Sequence, residues 1–281
     1  MIPQFADKTQ LLEWLKLNKD LLISQKKSAI KYADAVGYSY LPASDGDGTE
    51  KELSVNTGDS PTTIYAKVVM NTTNIMDSHK DVHIPGLWKK TLAENKSLYH
   101  LQEHKMSFDK VISDEVNPTT KSISWKSLGF NYEGNTQALI FESTIKESRN
   151  PFMFDQYRKG YVKNHSVGMQ YVKILMAVDS TDKYWAEEKA VWDEYIGQVV
   201  NAQAAKDQGF FFAVKEAKLI EGSAVLVGSN QATPTILITD QTEAGKSTSE
   251  SIEPSADTHS TPSYTPMAKR INNIHQQTKK K

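Results

Sequence analysis

The spacing of apolar and polar residues changes twice within the first third of the chain. Over residues 7–36 apolar side chains recur at helical spacing among lysines, which predicts an amphipathic helix within an N-terminal region of residues 1–40. Asp7, with Gln10 three positions later, is a candidate capping box at the start of this helix. Residues 41–62 are rich in Pro, Ser, Asp, Gly and Thr, which predicts a linker.

Residues 63–235 carry the short apolar and β-branched stretches that are typical of strands. We expect a main domain here, with an acidic helical insert at 180–208 and two short helices at 87–94 and 151–161. The turn residues 117–119 are predicted to join two of the strands as a hairpin. The predicted strands are 64–70, 110–115, 122–128, 136–145, 165–176 and 211–227. Strands interrupted by few helices indicate a β-rich α+β fold.

The C-terminal region, residues 236–281, has a different composition. Its 238–268 stretch is rich in Ser, Thr, Pro and Glu and nearly free of large apolar side chains, and the chain ends in three lysines. Such a sequence cannot bury enough apolar surface to fold alone, so we expect a disordered tail with a basic end.

The composition of the chain excludes several kinds of functional site. The chain has 281 residues, a formal net charge of −1 and no cysteine. The absence of cysteine excludes a thiol nucleophile, thiolate metal ligands and disulfides. The near-zero charge does not favour nucleic acid as a partner. No apolar run approaches the length of a membrane helix, and the N-terminus lacks the pattern of a signal peptide, so a membrane is not expected as a partner.

A serine and a histidine stand out as candidate catalytic residues. Ser166 precedes Val167 and Gly168 at the start of a predicted strand, and His104 lies upstream in the block Leu101-Gln102-Glu103-His104. A serine needs a general base to become a nucleophile, and a carboxylate that orients this base completes a triad. His165 adjoins Ser166, but neighbouring side chains on a strand point to opposite faces, so His165 is expected behind the site.

A zinc site is the rival interpretation of the same segment. His100, Glu103 and His104 match the H-x-x-E-H pattern, in which two histidines on one helix face hold zinc and the glutamate acts as a base. This interpretation requires a helix through the segment, although a strand pattern follows at once. Asp77 and Asp81 lack the spacing of a calcium loop and are predicted to be turn residues.

Four blocks together resemble the tailed-bacteriophage prohead proteases, the capsid-maturation serine proteases that are related in fold to herpesvirus assemblins. The blocks are Asp81–Trp88, Leu101–His104, Asn164–Met169 and Leu219–Val227, and the match covers roughly residues 63–235. The sequence departs from the family after His104, where Lys105-Met106-Ser107 replaces the usual residues, and at Gly222.

The resemblance implies a β-barrel-like domain of the herpesvirus-protease type, flanked by short helices, and a homodimer like that of the herpesvirus relatives. It implies a serine endopeptidase in which Ser166 is the nucleophile, His104 the base and Glu221 the residue that orients His104, with no cofactor and no metal. Its substrates would be scaffold protein, the extensions of the major capsid protein and the protease itself. It would act in the host cytoplasm, inside the immature capsid.

Two further expectations concern the regions outside the main domain. The N-terminal helix and basic tail are candidates for docking to scaffold or coat protein, and residues 238–268 are a candidate self-cleavage region.

A second functional hypothesis retains the protease-like fold but not the catalytic activity. In that hypothesis the chain is a catalytically inactive, protease-like assembly or scaffold protein, and the departures beside His104 are its main support.

Overall fold

The structure is a computed structural model of the 281-residue chain. The part of the chain that it describes comprises Pro3, Phe5 and residues 7–31, 53–54, 61–94 and 96–240. Most of the predicted linker and nearly all of the predicted tail, including residues 238–268 beyond Asp240, lie outside these residues. The described part is a mixed α+β fold with an N-terminal helix, which confirms the predicted α+β class and N-terminal helix. The expected barrel-like closure is not found, because the described strands form two separate sheets.

The elements are numbered in chain order. The described helices are α1 (Lys8–Ser28), α2 (Lys89–Ala93), α3 (Pro151–Arg158), α4 (Ala186–Tyr195) and α5 (Ala202–Gln208). The described strands are β1 (Ile30–Lys31), β2 (Leu53–Ser54), β3 (Thr63–Thr72), β4 (Asp81–His83), β5 (His100–Gln102), β6 (Val111–Ser113), β7 (Val116–Ser124), β8 (Asn135–Lys146), β9 (Asn164–Val178), β10 (Phe210–Val225) and β11 (Thr235–Thr239).

Helix α1 is shorter than its periodicity predicts. Asp7 caps it by accepting a hydrogen bond from the N–H of Gln10, and Leu15 and Leu22 are buried. The helix was expected to continue to residue 36, but the chain becomes extended at Ala29 and forms β1. The reason is tertiary: the backbone of β1 pairs with an edge of β9, and a helical pattern in the sequence does not reveal such a partner.

The first sheet has the strand order β1-β9-β10-β5-β6, with β4 also paired to β10. Its centre is the long antiparallel ladder between β9 and β10, which contains register shifts near residues 214–217 and 219–221. Strands β4 and β5 both run parallel to β10 and pair with different parts of it. This arrangement places the start of β9, the end of β10 and the end of β5 side by side.

The second sheet has the order β2-β11-β3-β8-β7 and packs against one face of the first. A Cβ built on Gly222 would lie 2.5 Å from the ring of Phe141 on β8 and 2.8 Å from the sulfur of Met70 on β3. The two sheets therefore touch closely at β10, and the glycine permits this approach. In the described part of the chain the sheets do not close into a barrel.

The predicted hairpin with a turn at 117–119 is wrong. Residues 116–124 form one continuous strand, β7, which pairs antiparallel with β8, and residues 126–128 form a short 3-10 helix. Pro118 is tolerated because β7 lies at the edge of its sheet, where one side of the strand needs no N–H donor. Strand β6 pairs instead with β5.

The insert at 180–208 is helical, as predicted. Helices α4 and α5 cover the face of the first sheet that points away from the second sheet, at the end remote from Ser166. Their contacts include Trp192 and Tyr195, which pack with Phe211 and Ala213 of β10.

Candidate active site

The pairing of β9 with β10 determines which side chains share a face. Ser166 lies opposite Ser223, and Gly168 lies opposite Glu221. Directly opposed residues of an antiparallel pair project to the same side, as do residues two positions apart on one strand. Ser166, Gly168, Glu221 and Ser223 therefore occupy one face of the sheet. The second sheet packs on the other face, where a Cβ at Gly222 would contact its side chains.

His104 reaches this face through a tight turn after β5. Glu103 and His104 have φ angles of 53° and 56°, a left-handed conformation that is uncommon for residues other than glycine. Two hydrogen bonds join the turn to β10: Glu103 N–H donates to Ala224 O at 2.9 Å, and His104 N–H donates to Ser223 Oγ at 3.0 Å. Consecutive residues in this strained region occur where surrounding contacts enforce them, often at functional sites.

The imidazole of His104 is bonded to Glu221. The distance from His104 Nδ1 to Glu221 Oε1 is 2.6 Å, and the carboxylate is fully buried. An ionised carboxylate only accepts hydrogen bonds, so it assigns the donating proton to Nδ1. The lone pair of the neutral ring is then on Nε2, the nitrogen that a general base uses to take a proton.

Ser223 holds the other oxygen of the same carboxylate. Its Oγ donates to Glu221 Oε2 at 2.6 Å while it accepts the N–H of His104. Both carboxylate oxygens are therefore hydrogen-bonded, which a buried charge requires. Sequence reasoning assigned no role to Ser223. The signal that could have revealed it is its position two residues after Glu221 on a strand, which places both side chains on one face.

The three residues predicted as a catalytic triad therefore lie in one region. His104 and Glu221 are in direct contact. Ser166 is buried on the same face, directly opposite the serine that binds both of them. It also borders a narrow cleft, open to solvent on one side, whose lining includes Val167, Met169 and Asn230 but neither His104 nor Glu221.

His165 lies behind the site, as predicted, in a buried polar network. Tyr157 OH is 2.9 Å from Nε2 of both His100 and His165. His165 Nδ1 is 3.1 Å from Thr233 O, so that nitrogen is the donor and its Nε2 accepts the tyrosine proton. His100 Nε2 then donates to Tyr157, and His100 Nδ1 accepts from Ser143 at 3.0 Å.

Burial keeps this network neutral. It lowers the pKa of His165 to about 4 and, together with the neighbouring His165, the pKa of His100 to well below its usual value. Burial also raises the pKa of Tyr157 well above its usual value. The low histidine pKa values mean that neither imidazole is charged at neutral pH.

The helix that the zinc interpretation requires is not formed. Residues 100–102 are a strand, and His104 follows in a turn. His100 points into the buried network, whereas His104 contacts Glu221 on the other side of the sheet. Among the described residues, no three acidic or histidine side chains form a group that could hold a metal ion.

Of the two aspartates predicted as turn residues, Asp77 begins a turn, whereas Asp81 is the first residue of strand β4, so the prediction is wrong for Asp81. Asp77 Oδ1 accepts the N–H groups of His79 and Asp81. Asp81 is itself fully buried, and it accepts hydrogen bonds from Lys26 Nζ of α1 at 2.5 Å and from Tyr171 OH at 2.7 Å. This ion pair ties the N-terminal helix to the main domain, and sequence reasoning did not anticipate it.

Comparisons with known proteins supply no relative. No family model matches the chain, and no curated protein or solved structure matches it significantly. Within the described residues, no helix is both long and apolar enough to cross a membrane.

Proposed function

We propose that this chain is a serine endopeptidase. The observation that carries the proposal is the 2.6 Å bond between His104 and the buried Glu221, on the sheet face that also bears Ser166. A carboxylate bonded to Nδ1 of a histidine, with a serine on the same surface, is the arrangement that activates a serine hydroxyl.

In the proposed reaction Ser166 Oγ attacks the carbonyl carbon of the scissile peptide bond, and His104 Nε2 takes its proton. Backbone N–H groups beside the nucleophile stabilise the oxyanion. His104 then protonates the leaving amine, and water hydrolyses the acyl-enzyme ester with His104 again as the base. Glu221 keeps the imidazole in the required tautomer and stabilises its protonated form.

We further propose that this activity matures a phage prohead. The support is the set of four sequence blocks that resemble prohead proteases, three of which contain the residues of the site. The substrates would then be scaffold protein, the extensions of the major capsid protein and the protease itself, processed inside the immature capsid in the host cytoplasm. The herpesvirus-protease fold and a homodimer belong to the same proposal.

Co-expression with the scaffold and major capsid proteins of the same genome tests this function. We expect shortened capsid and scaffold chains with the wild type and full-length chains with Ser166→Ala. Ser122→Ala, which removes an exposed serine of β7, is the matched control and should process normally. Processing that continues in Ser166→Ala would contradict the proposal. Absence of processing in the wild type would favour the inactive assembly protein.

A further inference from the structure

The narrow cleft that borders Ser166 has one apolar wall and one polar wall. The apolar wall includes Met70 of β3 and Val167 and Met169 of β9. The polar wall includes Asn71, Asp77, His79, His83, Ser229 and Asn230. A small ligand group that has an apolar stem and a polar tip would contact both walls, as such groups do in most ligand sites.

The polar wall contains a buried hydrogen-bond donor without a partner. Asn71 is fully buried, Asn230 Nδ2 donates to its Oδ1 at 3.3 Å, and His83 Nδ1 is 2.7 Å from the same oxygen. Because two nitrogens approach that atom, it is the amide oxygen, and the other amide atom is Nδ2. Among the described residues Asn71 Nδ2 has no hydrogen-bond partner. A ligand that brings an acceptor oxygen would remove the cost of this unpaired donor.

The charges around the cleft favour a neutral ligand. Of the described residues that line it, none is a lysine or an arginine. Burial lowers the pKa of His83 to about 4, so its imidazole is neutral at pH 7. Behind Tyr171, the fully buried Asp81 is already paired with Lys26. A ligand carboxylate would therefore lose its hydration in the cleft without a lysine or arginine to balance its charge.

The position of the cleft relative to the histidine indicates which part of a substrate it would receive. Of the three proposed triad residues, Ser166 lines the cleft, whereas His104 and Glu221 do not. The histidine of a triad protonates the leaving amine, so the leaving part of the substrate lies beside His104. The acyl part, whose carbonyl carbon the serine attacks, therefore lies on the side of the cleft.

We propose that this cleft is the specificity pocket of the endopeptidase, and that it selects a substrate with a neutral amide side chain, glutamine or asparagine, immediately before the scissile bond. This inference rests on the proposed endopeptidase function. The methylene groups would lie against Met70 and Met169, and the amide oxygen would accept a hydrogen bond from Asn71 Nδ2. Oxygen atoms of Asp77 and Ser229 on the same wall offer acceptors for the amide NH₂ group. Asn71 is thus a residue that determines specificity.

Phosphonate probes with three different side chains test the inference on the full-length chain. In each probe a diphenyl phosphonate stands in place of the scissile carbonyl group, and the residue that bears it has the side chain of glutamine, glutamate or methionine. The serine oxygen bonds to phosphorus as a phenol leaves with the proton that His104 has taken. We expect the glutamine probe to label Ser166 at least about tenfold faster than the others, because glutamate adds an unbalanced charge and methionine leaves Asn71 unpaired.

A pair of asparagine variants tests the role of Asn71. Asn71→Ala removes the donor and should reduce the preference for glutamine over methionine to less than about threefold. Asn135→Ala, at an exposed asparagine of β8, is the matched control and should keep the wild-type preference. A preference that is unchanged in folded Asn71→Ala would overturn the role of Asn71. The comparison of the three probes on the wild type needs no variant, so it decides the side-chain class even where Asn71→Ala does not fold.

A fluorophosphonate probe, which reacts with activated serines and carries no amino-acid side chain, separates this inference from the proposed function. If it labels Ser166 but the glutamine probe is not the fastest of the three phosphonates, this inference is overturned and the proposed function stands. If neither the fluorophosphonate nor any of the phosphonates labels Ser166, both fail.

Discussion

Gly168 and Glu221 face each other across β9 and β10 so closely that residue 168 has no room for a side chain. A Cβ at this position would lie 2.2 Å from Glu221 Oε1, the oxygen that binds His104. The glycine two residues after Ser166 is thus explained by the carboxylate opposite it. The Ser-Val-Gly sequence and Glu221 are two halves of one local structure.

Substitution of Gly168 should therefore damage the site. In Gly168→Ala the new methyl group displaces the Glu221 carboxylate, so we expect Ser166 to react with the fluorophosphonate probe at least about a hundredfold more slowly. The free energy of unfolding should fall by about 1–3 kcal/mol, as for other overpacked sites. Gly197→Ala is the control, because a Cβ there meets nothing within 4 Å and its φ is not in the left-handed region. Equal reaction rates for the two variants would contradict this account of Gly168.

Ser223 should act as a positioning residue for the histidine and the carboxylate. Ser223→Ala removes the donor to Glu221 Oε2 and the acceptor for the His104 N–H. We expect kcat for a peptide substrate to fall at least about tenfold with little change in KM, because the lost bonds orient the base rather than bind substrate. The variant should still be labelled at Ser166. Labelling that moves away from Ser166, or a loss confined to KM, would contradict this role.

The buried network behind the site should contribute stability rather than chemistry. Tyr157→Phe leaves the facing nitrogens of His100 and His165 without their shared hydroxyl. Unpaired buried polar groups cost about 1–3 kcal/mol, so chemical denaturation should show a loss of that size. Probe reactivity of Ser166 at a temperature where the variant is folded should be nearly unchanged. Tyr161→Phe, at an exposed tyrosine, is the control and should be neutral.

Stability should pass through a maximum near pH 6.5. Burial lowers the pKa of His83 and His165 to about 4, and that of His100 well below its usual value, so the unfolded chain binds more protons than the folded chain between about pH 4 and pH 6.5. These three histidines therefore make stability fall as the pH drops through that window. Burial and the nearby Asp81 raise the pKa of Asp77 to about 8. This shift acts in the opposite direction: it makes stability fall as the pH rises towards about 8.

Below pH 6.5 the three histidines together change the free energy of unfolding more than Asp77 does. Above pH 6.5 only the titration of Asp77 among these four groups changes it. Each unmatched proton changes the free energy of unfolding by about 1.4 kcal/mol per pH unit. Denaturation followed from about pH 4.5 to about pH 8.5 measures the effect. Asp77→Asn keeps an oxygen for the two N–H donors and should abolish the decline above pH 6.5. A monotonic curve for the wild type would contradict these assignments.

The sequence predicts those parts of the molecule that local patterns determine. The helical insert, the long strands and the cap at Asp7 follow from periodicity and turn chemistry. The early end of α1 and the misassigned hairpin at 117–119 do not, because both depend on the strands that pair with them. Edge strands take their structure from a neighbour that is distant in the sequence.

The candidate site likewise has residues that the sequence identifies and residues whose role only the structure reveals. Ser166, His104 and Glu221 were identified from short blocks and their resemblance to a family, and the structure brings them to one region. The contribution of Ser223 and the steric reason for Gly168 require the register of β9 and β10. A shift of one residue in that register would move every side chain to the other face, so no local pattern contains this information.

The most direct test of the central claim is the mass and position of a fluorophosphonate adduct on the full-length chain. We expect one adduct on Ser166 of the wild type and none on Ser166→Ala. His104→Ala should react at least about a thousandfold more slowly, because the serine loses its base. An unmodified wild-type chain, an adduct on another serine, or undiminished labelling of His104→Ala would contradict the assignment of Ser166 as a nucleophile activated by His104.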